Sequence, residues 1–166
     1  INIDNLKNCI NSDLANNVGN LSQRIFTLIN KHFSSKVPDV KLLKEDSDFL
    51  FIPMNNLKTT MENLEIHNYV REIISYSSKI NKYVNDEEPW VKVKNYDDRV
   101  GSILYVALNA LKNIFILLHP IMPEKSENFL SCLGIPPENI SLQLIDQNLD
   151  SNTKLTMPGL LFKKHI

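Results

Sequence analysis

The chain has 166 residues, of which 43% are hydrophobic, so it is long enough for one domain with a sizeable core. Its formal net charge of −1 argues against a protein that grips long nucleic-acid duplexes, because neutralising many phosphates requires an excess of Lys and Arg, and any nucleic-acid contact must be local. The two cysteines, Cys9 and Cys132, are far apart and form no CxxC pair, which argues against a disulfide framework and a zinc site and indicates buried thiols in a reducing, cytoplasmic compartment.

The first predicted helix covers Asp4 to Phe33. Apolar residues recur in it at steps of three and four, the period of one helix face: Leu6, Ile10, Leu14, Val18, Leu21, Ile25 and Leu28. At about 100° per residue, Asn16, Asn20 and Arg24 form a polar row roughly 120° away from that face. Amide and guanidinium groups can satisfy the edge of an unstacked base. On spacing alone, the simpler interpretation is the ordinary polar face of an amphipathic helix.

A second predicted helix covers Met61 to Asp86, after a connection from Ser34 to Asn56 that shows no sustained period. One stripe contains Ile66, Val70, Ile73, Ser77, Ile80 and Val84, and the small Ser77 allows a neighbouring helix to approach closely. Pro89 ends this helix. No secretory leader precedes the first helix, and the chain starts with Ile1, so we expect a piece of a longer protein.

Trp90, the only tryptophan, follows Pro89 directly and is followed by Lys92 and Lys94. An aromatic platform beside cations suits a nucleobase. The alternative is a tryptophan that plugs the end of a bundle, and both roles are compatible if one ring face is packed and the other open. The acidic run 86–88 counts against a phosphate-gripping role there, because phosphates would be repelled.

A third predicted helix, Asp97 to His119, is apolar almost all round and belongs at the centre of a bundle. Its longest apolar stretch, 111–118, is interrupted by two polar residues and is too short to cross a bilayer. A fourth helix opens at Pro123 and closes at Gly134. The tail contains one β-like run, 142–145. The sequence therefore predicts an all-α helix bundle over residues 1–140 and an extension over residues 141–166.

Neither a metal site nor a catalytic residue is predicted. The four histidines show no ligand spacing with Cys, Asp or Glu, and no phosphate-binding, hydrolase or metalloprotease motif occurs. With four glycines there is little backbone for a phosphate cradle. Catalysis is therefore not expected of these residues.

Four ordered motifs carry a resemblance over nearly the whole chain. They are SDLANNVGNL at 12–21 with Arg24 after it, NKYV at 81–84 with Pro89 and Trp90 after it, LLHPIMPE at 117–124, and 129–134 with Leu161 and Phe162 further on. In this order they closely resemble the C-terminal anticodon-binding domain of methionyl-tRNA synthetases of the bacterial type.

The resemblance implies a helix bundle of the class I aminoacyl-tRNA synthetase type that recognises the CAU anticodon of methionine tRNAs. In that family, the residues matching Asn20 and Arg24 hydrogen-bond the wobble cytosine, and the residue matching Trp90 stacks on it. Asn16 and Pro89 also match positions at that site. The HIGH and KMSKS signatures of the family's catalytic half are absent from this chain.

The resemblance also implies partners and cofactors. The expected partners are a methionine tRNA and the protein's own catalytic domain, on which the 141–166 extension would pack if it does not pack on the bundle; membranes and DNA are not expected. No cofactor is expected in this fragment, whereas the full-length ligase would use ATP, methionine and Mg²⁺.

Two alternatives remain open at this point. One is the anticodon domain of another class I synthetase, such as the isoleucine, valine, leucine or cysteine enzyme, against which Pro89–Trp90 with Asn20 and Arg24 argues. The other is a helical protein-interaction module without RNA binding, in which the polar row is surface and Trp90 is core.

Overall fold

The computed structural model describes residues 4, 5, 8 and 10–157, and for residues 10, 11, 15 and 16 it describes the backbone alone. Seven α-helices occur there: α1 Asn20–His32, α2 Lys44–Ser47, α3 Met54–Glu62, α4 Ile66–Glu87, α5 Pro89–Lys92, α6 Arg99–Leu118 and α7 Pro123–Cys132. Short 3₁₀ turns lie at Asp48–Leu50, Val93–Asn95, Pro137–Asn139 and Leu142–Asp146. In this part of the chain the β-structure is one isolated bridge, Lys36 to Lys154. The all-α prediction is confirmed.

Helix α6 forms the centre of the bundle, as its all-round apolar sequence predicts. Every residue of α6 except Arg99 and Ser102 is buried, and α4, α7 and α1 pack around it. By length and composition alone, Arg99–Leu118 is long and apolar enough to cross a membrane. The sequence-based expectation rested on its stretch 111–118 alone, which is too short to do so. However, 94% of its most apolar window is buried inside the bundle, and that is the pattern of a core helix.

The prediction of one continuous α-helix at the start of the chain is only partly correct. Residues Ile10–Gly19 form a π-helical segment, with hydrogen bonds one residue wider than in an α-helix, and α1 continues from Asn20 without a break. The segment is rich in Asn, Ser and Asp, whose side chains compete for backbone groups, and the Ser12 hydroxyl bonds the carbonyl of Asn8 at 2.7 Å. The angle of 100° per residue therefore applies to Asn20 and Arg24 but not to Asn16.

The second predicted helix is two helices. Helix α3 ends at Glu62 and α4 starts at Ile66, because Leu64 adopts a left-handed conformation with φ 56° and Glu65 N–H bonds back to the Thr60 carbonyl at 2.8 Å. Such a stop usually carries Gly, so the sequence shows no break here. The fourth helix is confirmed, and there Gly134 does take the left-handed position after α7, with φ 79°. Cys132 at its end is buried, as predicted, whereas Cys9 lies outside the described residues.

The prediction of a β-like run at 142–145 is wrong, because these residues lie in a 3₁₀ turn that packs on α6. Ile145 and Leu155 are buried in the core, and no strand lies beside the run in the described part of the chain. Helix α6 holds this turn through polar side chains. The Tyr105 hydroxyl donates to the Leu149 carbonyl at 2.7 Å, and the Lys112 ammonium donates to the carbonyls of Leu144 and Gln147. The tail is therefore anchored by the polar groups that interrupt the apolar pattern of α6.

Buried Lys112 makes stability depend on pH. Burial disfavours its charged form and lowers the pKa of Lys112 from about 10.5 to about 8. The unfolded chain then binds more protons than the folded one between these values, so the free energy of unfolding should rise from pH 8 to 9.5, by up to about 1.4 kcal/mol per pH unit. Lys112→Met should remove this rise. Urea unfolding of both proteins across this range tests it, and equal slopes would contradict the assignment.

Candidate nucleic-acid interface

The predicted polar row and Trp90 meet where the π-helical segment Ile10–Gly19 and the start of α1 lie beside α4. The Asn17 amide donates to the Ser78 hydroxyl at 3.4 Å, and the Asn81 amide donates to the Asn17 carbonyl at 2.9 Å. One helix turn after Asn20, Arg24 Nη1 donates to Asn85 Oδ1 at 3.3 Å. Residue numbers rise together on both sides of this contact, so the π-helical segment and the start of α1 run parallel to α4, and Arg24 lies beside the last turn of α4.

A sharp turn at the end of α4 carries Trp90 back to α1. Glu88 stands between α4 and α5 in the left-handed conformation, with φ 49° and ψ 60°. Pro89 is buried and occupies the first position of α5, where its missing N–H has no cost. The amides of Val91 and Lys92 then bond the Glu88 carbonyl at 2.9 and 3.1 Å. This turn, and not the helix axis of α4, sets the direction of the indole.

The guanidinium of Arg24 lies over the indole of Trp90, with its central carbon 4.0 Å from the ring centroid. This is cation–π contact distance. The indole is partly buried and packs on the hydrophobic core, so it serves in part as the plug that the sequence allows. An open pocket of about 430 Å³ lies beside the ring and is lined by Gln23, Arg24, Thr27, Leu28 and Trp90.

Of the five predicted site residues, the structure brings Arg24, Pro89 and Trp90 together. Asn20 is exposed one turn before Arg24 on α1. The backbone of Asn16 lies in the π segment, and its side chain lies outside the described residues. The cluster is therefore a planar cation on an aromatic ring, with an exposed amide one turn away. Within the described ranges, no three His, Cys, Asp or Glu side chains are grouped to hold a metal ion.

Sequence reasoning missed Asn85 and the pocket wall. Asn85 holds Arg24 in place and precedes the Pro89–Trp90 pair by about one helix turn, while Gln23, Thr27 and Leu28 follow Asn20 and Arg24 at helical steps of three and four. These spacings were a usable signal, because residues three and four apart share a helix face.

A buried ion pair lies under the same turn. Asp46, with 3% of its side chain exposed, accepts from Arg99 Nη1 at 2.6 Å and Nη2 at 2.9 Å, and from the Tyr83 hydroxyl at 3.1 Å. These hydrogen bonds, that from Arg99 above all, hold the pKa of Asp46 below its usual value. Burial and the neighbouring carboxylate raise the pKa of Tyr83. Together with Tyr83, the pair joins α2 and α6 to the last turns of α4. No local sequence pattern predicts this contact.

Comparison with known proteins identifies the fold and its relatives. The family model described as the anticodon binding domain of methionyl tRNA ligase matches residues 36–166, which include Pro89 and Trp90. A methionine–tRNA ligase of Rhizobium meliloti is 31% identical over 163 residues, covering 95% of this chain and 32% of that protein. One of Metallosphaera sedula is 28% identical over 165 residues, covering 93% and 28%. These two alignments are long enough to include α1.

Solved structures agree with these relatives. The ligand-free methionyl-tRNA synthetase of Mycobacterium tuberculosis superposes with a TM-score of 0.88 at 25% identity, covering 100% of this chain and 35% of that one. A structure of the same organism's enzyme bound by methionyl-adenylate gives 0.86 at 26% identity, covering 97% and 34%. The chain thus spans about a third of the length of the relatives it matches.

Proposed function

This chain belongs to the family of methionyl-tRNA ligase anticodon-binding domains, and from that we propose that it recognises the CAU anticodon of methionine tRNAs at the Arg24–Trp90 cluster. The observation that carries the proposal is the contact of Arg24 with the indole. It joins an edge-recognising group to a stacking surface, although the two residues are far apart in the sequence. The matched family is that of the methionyl enzyme, which decides against the isoleucine, valine, leucine and cysteine enzymes.

The proposed division of roles follows from the chemistry of each side chain. A base stacked on an aromatic ring gains about 1–3 kcal/mol whichever base it is, so Trp90 supplies affinity. The guanidinium of Arg24 and the amide of Asn20 offer fixed donors and acceptors to a base edge, so they supply choice. Arg24 occupies the ring face in the free protein. The wobble base takes that place, and Arg24 turns towards the base edge.

The rest of the protein's activity is also part of the proposal. These residues would deliver methionine tRNA to a catalytic domain of the same polypeptide, which would use ATP, methionine and Mg²⁺ for methionylation in the cytoplasm. The M. tuberculosis relative bound by methionyl-adenylate supports the use of ATP and methionine. The open pocket beside Arg24 and Trp90 favours this over a protein-interaction module, because it leaves room for a base next to the ring.

A pair of RNA stem-loops tests the proposal. The loop with a CAU anticodon should bind at least about tenfold more tightly than a loop whose first anticodon base is changed; tenfold is about 1.4 kcal/mol, within the roughly 1–3 kcal/mol by which one edge-recognising pair discriminates. Fluorescence anisotropy at one fixed salt concentration gives both affinities, since salt alone changes RNA binding strongly. Equal affinities for the two loops would overturn the proposal.

A further inference from the structure

Three consecutive acids, Asp86, Glu87 and Glu88, stand directly before the Pro89–Trp90 pair, where they would repel a phosphate backbone. The structure separates their roles. Asp86 makes an exposed pair with Lys82 on its own helix, 2.7 Å long, with side chains 63% and 76% exposed. Glu87 is 30% exposed and contacts two cations on other elements.

Glu87 connects the turn to the buried ion pair. Its Oε1 lies 3.6 Å from Arg99 Nη2, and Arg99 is fixed on α6 by its two bonds to Asp46. Its Oε2 lies 3.2 Å from Lys92 Nζ on α5, which also donates to the Glu87 carbonyl. The carboxylate of Glu87, at the end of α4, therefore contacts both α5 and α6 and links the two helices that flank Glu88 to α6.

The turn has local backbone hydrogen bonds to the Glu88 carbonyl, but its local conformation is otherwise unfavourable. Glu88 is not a glycine, and the left-handed conformation is unfavourable for it. Helix α5 has four residues, too few to hold a helical direction alone. The orientation of the indole therefore depends on contacts from outside the turn: α5 packs on α6, and Glu87 adds charged contacts to Lys92 of α5 and Arg99 of α6.

We infer that Glu87 is a positioning residue for RNA recognition: through Arg99 and Lys92 it fixes the turn that holds Trp90 against Arg24. The inference rests on the proposed function. The expected change in RNA affinity on removal of this charge is opposite in sign to the change that electrostatic repulsion alone would give. Removing a negative charge beside an RNA site strengthens binding when charge alone acts, whereas removing this one weakens it.

Two variants that each remove one negative charge, from neighbouring residues, separate these effects. Asp86→Asn should leave the affinity for the CAU stem-loop unchanged or slightly stronger. Glu87→Gln should weaken it by roughly three- to tenfold, a part of what stacking on the ring is worth. Since Trp90 is the only tryptophan, its fluorescence reports the turn without RNA. Acrylamide quenching should increase in Glu87→Gln and not in Asp86→Asn.

Lys92→Met provides a second variant, because it detaches Glu87 from α5 and leaves the contact with Arg99. It should increase quenching as Glu87→Gln does, and it decides the matter if Glu87→Gln does not fold. Stronger RNA binding by both acid variants, or unchanged quenching in Glu87→Gln and Lys92→Met, would overturn the inference. If the wild-type chain does not bind the stem-loop, the proposed function fails, while the quenching experiment still tests the positioning of Trp90.

Discussion

Trp90→Ala is expected to weaken binding of the CAU stem-loop by roughly 5- to 150-fold, the equivalent of losing one stacked base at about 1–3 kcal/mol. The change removes the ring on which the base would stack and leaves Arg24 with Asn85 as its described partner. Anisotropy titration of both proteins with the same labelled loop measures the loss. Trp90→Phe keeps a stacking face and should retain most of the affinity.

The stability of the Trp90→Ala variant shows whether Trp90 is a stacking platform for RNA or a plug in the core. The indole is partly buried on the core, so Trp90→Ala should lower the free energy of unfolding by about 1–2 kcal/mol, less than the roughly 3–5 typical of a fully buried tryptophan. Tyr96→Ala is the matched control, because Tyr96 lies six residues further on and is 94% exposed. It should change neither affinity nor stability. Unchanged RNA binding in Trp90→Ala would show that the ring is only a plug.

The largest loss of stability is expected for Asp46→Ala, about 3 kcal/mol. Removing one partner of a buried pair leaves the other without its counter-charge, which costs roughly 3–5 kcal/mol. The lower end applies here because Arg99 is 33% exposed and can turn to water. Denaturant unfolding at pH 7 measures the change. Asp48→Ala, an exposed acid two residues along, should stay within about 0.5 kcal/mol of wild type.

The contribution of Asp46 should also disappear in acid. Its pKa is held below the ordinary value of about 4, so the folded protein holds this proton less tightly than the unfolded chain. The stabilisation is complete above the ordinary pKa and is lost as the pH falls through the lowered, folded-state pKa. Asp46→Asn should flatten this acid limb. A variant with the same acid limb as wild type would place the loss on other carboxyl groups.

The candidate site was visible in the sequence as two separate features. Helical spacing marked Asn20 and Arg24, and the end of a helical pattern marked Pro89 and Trp90, but the 4.0 Å contact between the two is a tertiary fact. Asn85 could have been found from its place one turn before Pro89. The pairing of Asp46 with Arg99 could not, because 53 residues separate them and neither belongs to a periodic pattern.

By itself, the sequence determined that the protein is helical, that α6 lies at its centre and that Gly134 stops α7. Each of these depends on local physics: the period of apolar residues selects the face that leaves water, and Gly adopts a left-handed conformation without strain. Only the tertiary structure decided the break at Leu64, the turn at Glu88 and the docking of the tail on Lys112. There ordinary residues take unfavourable conformations or bury a charge, and contacts from distant parts of the chain compensate for the cost.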